Sequence, residues 1–117
     1  MNLNFAHMIF VRSDDRRALV ELLEQWDVQQ AAADIMGYMG VRLLEDREYP
    51  GEYIIAADFG VIDPDVSAAD EAARNDERSE TKEWAARLRA VIDDAPRHHN
   101  YDELYRTDFG AFEIRTT

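Results

Sequence analysis

The sequence predicts an α+β protein, with a small antiparallel sheet covered on one face by helices. Three observations lead there. Short apolar-rich segments alternate with the period that marks strands, two longer stretches repeat apolar residues at helical spacing, and the segments follow one another as β-α-β-β-α-β. That order is the ferredoxin-like arrangement. The 117 residues suit a single domain, with 108–117 read as a further strand or a tail.

The first strand spans 4–11, Asn-Phe-Ala-His-Met-Ile-Phe-Val, with Phe5, His7, Ile9 and Val11 on one face and Ala6, Met8 and Phe10 on the other. Both faces are largely apolar, so both need cover. Ser13 suits an N-cap, and Asp14 and Asp15 sit where a helix dipole favours anions, which predicts a helix over 14–33 with Leu19, Leu22, Leu23 and Trp26 as its apolar stripe. A second strand is expected over 38–46, with Met39, Val41 and Leu43 opposite Tyr38, Gly40, Arg42 and Leu44. Tyr49-Pro50-Gly51 marks a turn, and the third strand follows over 52–59, pairing with the second as a hairpin. On it Tyr53, Ile55, Ala57 and Phe59 share one face, and Ile54, Ala56 and Asp58 the other. After a loop over 60–66, Ser67 with Asp70 resembles a capping box opening a short helix over 68–75. A longer helix is expected over 79–93 with Trp84, Leu88, Val91 and Ile92 inward, then a fourth strand over 98–107.

The composition excludes several classes. No cysteine is present, which removes disulfides, thiol catalysis and thiolate metal sites. Twenty-five acids against thirteen bases leave a net charge of -12, which repels nucleic acid and anionic membranes. No apolar run is long enough to span a bilayer, and the first residues lack the pattern of a signal peptide, so a cytoplasmic protein is expected. Phosphate-binding glycine loops, nucleophile elbows and HExxH patterns are missing. With helices on one face of the sheet, the other face would stay apolar and open, and a homodimer packed sheet against sheet would cover it. The space between the sheets offers one place for a ligand.

Several phrases carry a family resemblance. Gly37-Tyr38-Met39-Gly40-Val41-Arg42-Leu43-Leu44 resembles the second strand of the antibiotic biosynthesis monooxygenase family, and Tyr53-Ile54-Ile55-Ala56-Ala57-Asp58-Phe59 its third. Asp70-Glu71-Ala72-Ala73 and Thr81-Lys82-Glu83-Trp84-Ala85-Ala86 are similar to the helical segment that follows. The resemblance runs from about Phe5 to Thr107, and 60–66 reads as an insertion. It implies a dimeric α/β barrel and cofactor-independent oxidation of a small aromatic or enolisable substrate by dioxygen, in a cavity between sheet and helices. Quinone-forming members are similar to one another in an Asn and a Trp on strand three, where this chain has Ile55 and Phe59. Heme-degrading members carry a Trp there and a helical His, which the helix over 79–93 lacks. The alternatives are a non-catalytic binding dimer and a cyclase or isomerase of polyketide-type substrates. No cofactor is expected.

Six residues form the expected site. His7, whose ordinary pKa of about 6.5 suits a base at neutral pH, is the candidate proton acceptor; a hydrogen-bonded core histidine is the other reading. Arg42 is the candidate anion stabiliser through its planar donor fork, or else the partner of a nearby acid. Tyr53, Ile55 and Phe59, with Tyr38, are expected to bind a flat apolar substrate, or to be dimer core. His98-His99-Asn100-Tyr101-Asp102-Glu103 invites a metal reading, but the two histidines point to opposite faces of a strand and no third ligand stands at an obvious spacing, so no metal is expected.

Overall fold

A computed structural model describes residues 3–33, 37–61 and 65–107. The elements are β1 (Phe5–Arg12), α1 (Arg16–Ala33), β2 (Tyr38–Glu45), β3 (Glu52–Phe59), α2 (Ala68–Asp76), α3 (Ser79–Arg89) and β4 (Arg97–Asp102). The sheet runs β2-β3-β1-β4, and each neighbouring pair is antiparallel. This is the expected ferredoxin-like topology, with its second helical segment broken into α2 and α3. Met1, Asn2 and the C-terminal strand or tail over 108–117 lie outside the described residues.

One layer of the core follows from side-chain alternation. Ile9 and Val11 of β1 and Tyr53 and Ile55 of β3 pack against Leu19, Leu22, Leu23 and Trp26 of α1 and Trp84 and Leu88 of α3. A second cluster sets Ala57 and Phe59 against Ala68 and Ala72 of α2. The described helices therefore share one face of the sheet. Small side chains on α2 let that short helix lie close to β3. Ser67 Oγ accepts from Asp70 N at 3.0 Å and starts α2, as its spacing predicts.

Element ends differ from expectation for visible reasons. Helix α1 begins at Arg16 because the Ser13 hydroxyl donates to the Val91 carbonyl at 2.6 Å while accepting from Asp15 N at 3.0 Å. Asp15 does the capping, its Oδ1 accepting from Ala18 N at 3.0 Å. Helix α3 ends at Arg89 rather than reaching 93, since the chain turns so that Asp93 N donates to Arg12 O at 2.8 Å. Val91 and Ile92 still pack on the core, from outside the helix. Strand β4 stops at Asp102, because its partner β1 begins at Phe5. Beyond it Glu103 N donates to Asn4 O at 2.8 Å, and the Glu103 carboxylate takes Asn4 Nδ2 at 2.9 Å and Arg106 Nε at 2.7 Å. The Tyr49-Pro50-Gly51 turn closes by Glu52 N to Tyr49 O at 3.1 Å, with Gly51 at φ 94°.

The largest correction concerns β2. The register against β3 slips between Tyr38 and Gly40, where Gly40 has φ 135°. One extra residue at a bulge transfers everything before it to the opposite face. Tyr38 consequently joins Val41 and Leu43 on the helix side, packed against both core clusters, instead of lying beside Arg42.

The outer face carries Met8 and Phe10 of β1, Ile54 and Ala56 of β3, and Arg42 and Leu44 of β2. Pairing with β1 adds Arg97, His99 and Tyr101 of β4. The Arg97 guanidinium lies 5.3 Å over the Phe10 ring, and His99 meets Phe10 edge-on at 5.2 Å. None of the described helices packs on this face.

Candidate active site

The helix face of the sheet encloses a cavity of about 100 Å³. Ile9, Ile55, Ala57 and Phe59 form its floor, and Trp26, Trp84, Ala72 and Leu88 its roof. These walls are apolar because they are the inward-facing positions of the same strands and helices that build the core. The cavity lies between sheet and helices, not between two paired sheets.

Its polar side chains come from four elements: His7 on β1, His98 on β4, Asn75 and Asp76 at the end of α2, and Thr81 and Arg89 on α3. The two imidazoles meet directly. His7 Nε2 lies 3.1 Å from His98 Nδ1, and His7 Nδ1 lies 2.6 Å from Asn100 Oδ1. The rings are 5.2 Å apart and inclined by 31°. Antiparallel pairing produces this contact, since His7 stands opposite Asn100 and Ile9 opposite His98, so His98 and Asn100 point to the His7 side. His98 keeps much of its surface exposed, but partial burial lowers its pKa below the ordinary 6.5, and the neighbouring His7 lowers it further. The pKa of Asp76, an exposed residue, is raised above 3.8, chiefly by partial desolvation. Asn75 is 3% exposed. Its Oδ1 accepts from Gln30 Nε2 and from Thr81 Oγ1, each at 3.4 Å. Its Nδ2 is left without a partner among the described residues.

The expected site residues divide between the two faces. His7, Ile55 and Phe59 line the cavity. Tyr38 stands behind Phe59, ring edge to ring at 5.9 Å, and its hydroxyl donates to Asp27 at 2.8 Å. Burial, helped by Asp27, holds that phenol well above its ordinary pKa. Tyr53 is buried at the hairpin end of the core and does not border the cavity. Arg42 faces outward from β2, its Nε 3.9 Å from Asp58 Oδ2. Arg42 pairs across from Ala56 and His7 from Ala57, so the sheet separates the two, and they do not form one site. Arg42 has instead the acidic partner that was the other reading of it.

The sequence singles out His98 and Asn100 only for a metal, and Asn75 not at all. Alternation alone says that His98 and Asn100 share a face, but only the β1–β4 register says it is the face of His7. Among the described residues, no three His, Asp or Glu side chains are grouped to hold a metal ion, and no helix is long and apolar enough to cross a membrane.

No family model matches the chain, and no curated protein does. Solved structures do. A protein from Nitrosomonas europaea provisionally named an antibiotic biosynthesis monooxygenase superposes with TM-score 0.69 at 14% identity, covering 92% of this chain and 97% of that one. The Rv0793 protein of Mycobacterium tuberculosis gives TM-score 0.66 at 15% identity, over 90% of this chain and 99% of that chain. SnoaB, a cofactor-independent oxygenase from Streptomyces nogalater, gives 0.60 at 17% identity, over 90% and 96%. Near-complete coverage at such identities shows a shared fold, and the resemblance to the antibiotic biosynthesis monooxygenases holds at that level.

Proposed function

We propose that the chain is a cofactor-independent monooxygenase acting on a small enolisable or phenolic substrate, and that it works as a homodimer. The carrying observation is the apolar cavity whose polar end holds the touching imidazoles of His7 and His98. A dry apolar cavity of about 150 Å³ accepts a benzene-sized ligand, so about 100 Å³ suits a short dicarbonyl as it stands, takes one small ring only when the walls give, and excludes a fused polycycle. The fold shared with a named cofactor-independent oxygenase gives the reading further support.

The chemistry asks little of the protein. An imidazole at the polar end takes a proton from an acidic C–H, leaving the electron pair on the substrate. The carbanion adds dioxygen to give a peroxide, and the imidazolium returns its proton. Loss of water, with the remaining hydrogen on that carbon, leaves a carbonyl. One oxygen atom of dioxygen enters the product and the other leaves as water. Asn75 borders the cavity, and its Nδ2, which has no hydrogen-bond partner among the described residues, is the donor for the developing oxyanion, in the role that the sequence suggests for Arg42. Ile55 and Phe59 hold the ring or chain and exclude water.

Oxygen uptake with a panel of monocyclic phenols and dicarbonyls tests this reading. Uptake proportional to enzyme supports it. Compounds that bind without oxygen uptake and emerge unchanged make the chain a binding protein, and rearrangement without uptake makes it a cyclase or isomerase.

The dimer is proposed from the outer face around Met8, Phe10 and Ile54, on which none of the described helices packs. Phe10→Arg combined with Ile54→Arg is expected to convert a dimer into a folded monomer in sedimentation, through desolvated like charges at the contact. A monomeric wild type at micromolar concentration would remove this part of the proposal.

A further inference from the structure

We infer that the proton-accepting atom of the cavity is Nε2 of His98, and that His7 is the residue that positions it. This deepens the proposed function and rests on it for its catalytic meaning.

The inference follows from accounting for four ring nitrogens. Asn100 Oδ1 can only accept, so the 2.6 Å contact places a proton on His7 Nδ1. In a neutral imidazole the other nitrogen is then an acceptor, so His7 Nε2 receives the proton of His98 Nδ1 across 3.1 Å. Both nitrogens of His7 are thus committed within the protein. The one nitrogen that keeps a free lone pair is His98 Nε2, which has no hydrogen-bond partner among the described residues and belongs to a ring that lines the cavity.

Protonation distinguishes the two rings further. A proton taken up at His98 Nε2 leaves both hydrogen bonds in place, because His98 Nδ1 still donates to His7. A proton taken up at His7 Nε2 sets two N–H groups against each other and breaks the contact. The pair therefore accepts a proton at low reorganisation cost through His98 only. Asn100 fixes the tautomer of His7, and His7 fixes that of His98, as an orienting partner fixes a ligand histidine.

The charged surroundings fit this role. The groups facing His98 are His7 from β1, Asp76 from α2 and Arg89 from α3. Burial, His7 and Arg89 disfavour the charged ring, whereas Asp76 favours it. The depressed pKa keeps His98 neutral and able to accept at pH 7. When His98 takes the substrate proton, the substrate O–H or C–H electron pair stays behind, and Asp76 balances the new positive charge.

Two measurements test the inference without requiring oxygenase activity. Long-range proton–nitrogen spectra of the imidazoles near pH 8 are expected to show both rings protonated at Nδ1 and His98 Nε2 unprotonated. A His98 ring carrying its proton on Nε2 overturns the inference whether or not any ligand binds. Para-nitrophenol, whose anion absorbs apart from its neutral form, reports proton transfer inside the cavity. In wild type its ionisation on binding should fall away in acid with the same midpoint as the His98 titration. His98→Gln should abolish that limb, whereas His7→Gln, which retains an acceptor for His98 Nδ1, should keep it with a displaced midpoint. Retention in His98→Gln with loss in His7→Gln would give the base back to His7. For any substrate found by oxygen uptake, His98→Gln should lower kcat by about 10²-fold or more, the usual worth of a general base. If no compound consumes oxygen, the monooxygenase reading fails while the tautomer spectrum still decides the assignment of the base.

Discussion

Trp84→Ala is expected to lower the free energy of unfolding by about 3–5 kcal/mol, the range for removing a large buried aromatic. Trp84 is 4% exposed, its ring stands 5.0 Å from that of Trp26, and its Nε1 donates to Leu22 O at 2.8 Å. One side chain thereby joins α3 to α1 by packing and by a hydrogen bond. It also roofs the cavity, so truncation adds void to a place that is already hollow, where the surroundings cannot collapse cheaply. Urea denaturation of the variant, with exposed Glu83→Ala as the control near zero change, checks the value. A loss below about 1 kcal/mol would mean that the α1–α3 contact carries little of the fold's stability.

The second large effect concerns function rather than stability. Ala72→Leu is expected to place its added carbons in the cavity, because Ala72 is 6% exposed and borders it from α2. Filling a void commonly raises stability by about 0.5–2 kcal/mol, so the variant should melt no lower than wild type. A ligand that must now overpack the site loses about 1–3 kcal/mol, or roughly fivefold to 150-fold in affinity. Stability gained and binding lost in one variant is a combination that damage to the fold does not produce. Titration with para-nitrophenol alongside thermal unfolding measures both. Unchanged binding would place the ligand somewhere other than this cavity.

How far the sequence reveals the molecule depends on how local each determinant is. Strand β3 is legible residue by residue: Tyr53, Ile55, Ala57 and Phe59 alternate with Ile54, Ala56 and Asp58, and the structure buries the first set against the helices. The turn at Pro50-Gly51 and the cap at Ser67 are also local devices. Tyr38 is misplaced by simple alternation because a bulge displaces the count by one, and Gly40 alone does not announce it. The start of α1 moves from the region of Asp14 to Arg16 because Ser13 is tied to Val91, 78 residues away, which no local rule contains. The site repeats this division. His7, Ile55 and Phe59 are found from their own strands. His98 becomes the neighbour of His7 only through the β1–β4 register, and Asn75 enters the cavity only through the docking of α2. Arg42 is lost from the site because it alternates with the inward Val41 and Leu43 and pairs opposite Ala56, so it faces outward, toward Asp58.

The proposed work of this cavity is to activate a substrate for direct attack by dioxygen. Turnover under isotopically labelled dioxygen, with mass analysis of the product, tests it most directly. One labelled oxygen atom is expected in the product and the other in water, with less labelled product formed by both His98→Gln and Ala72→Leu. Product formed without label, or label incorporated equally by the blocked-cavity variant, would contradict it.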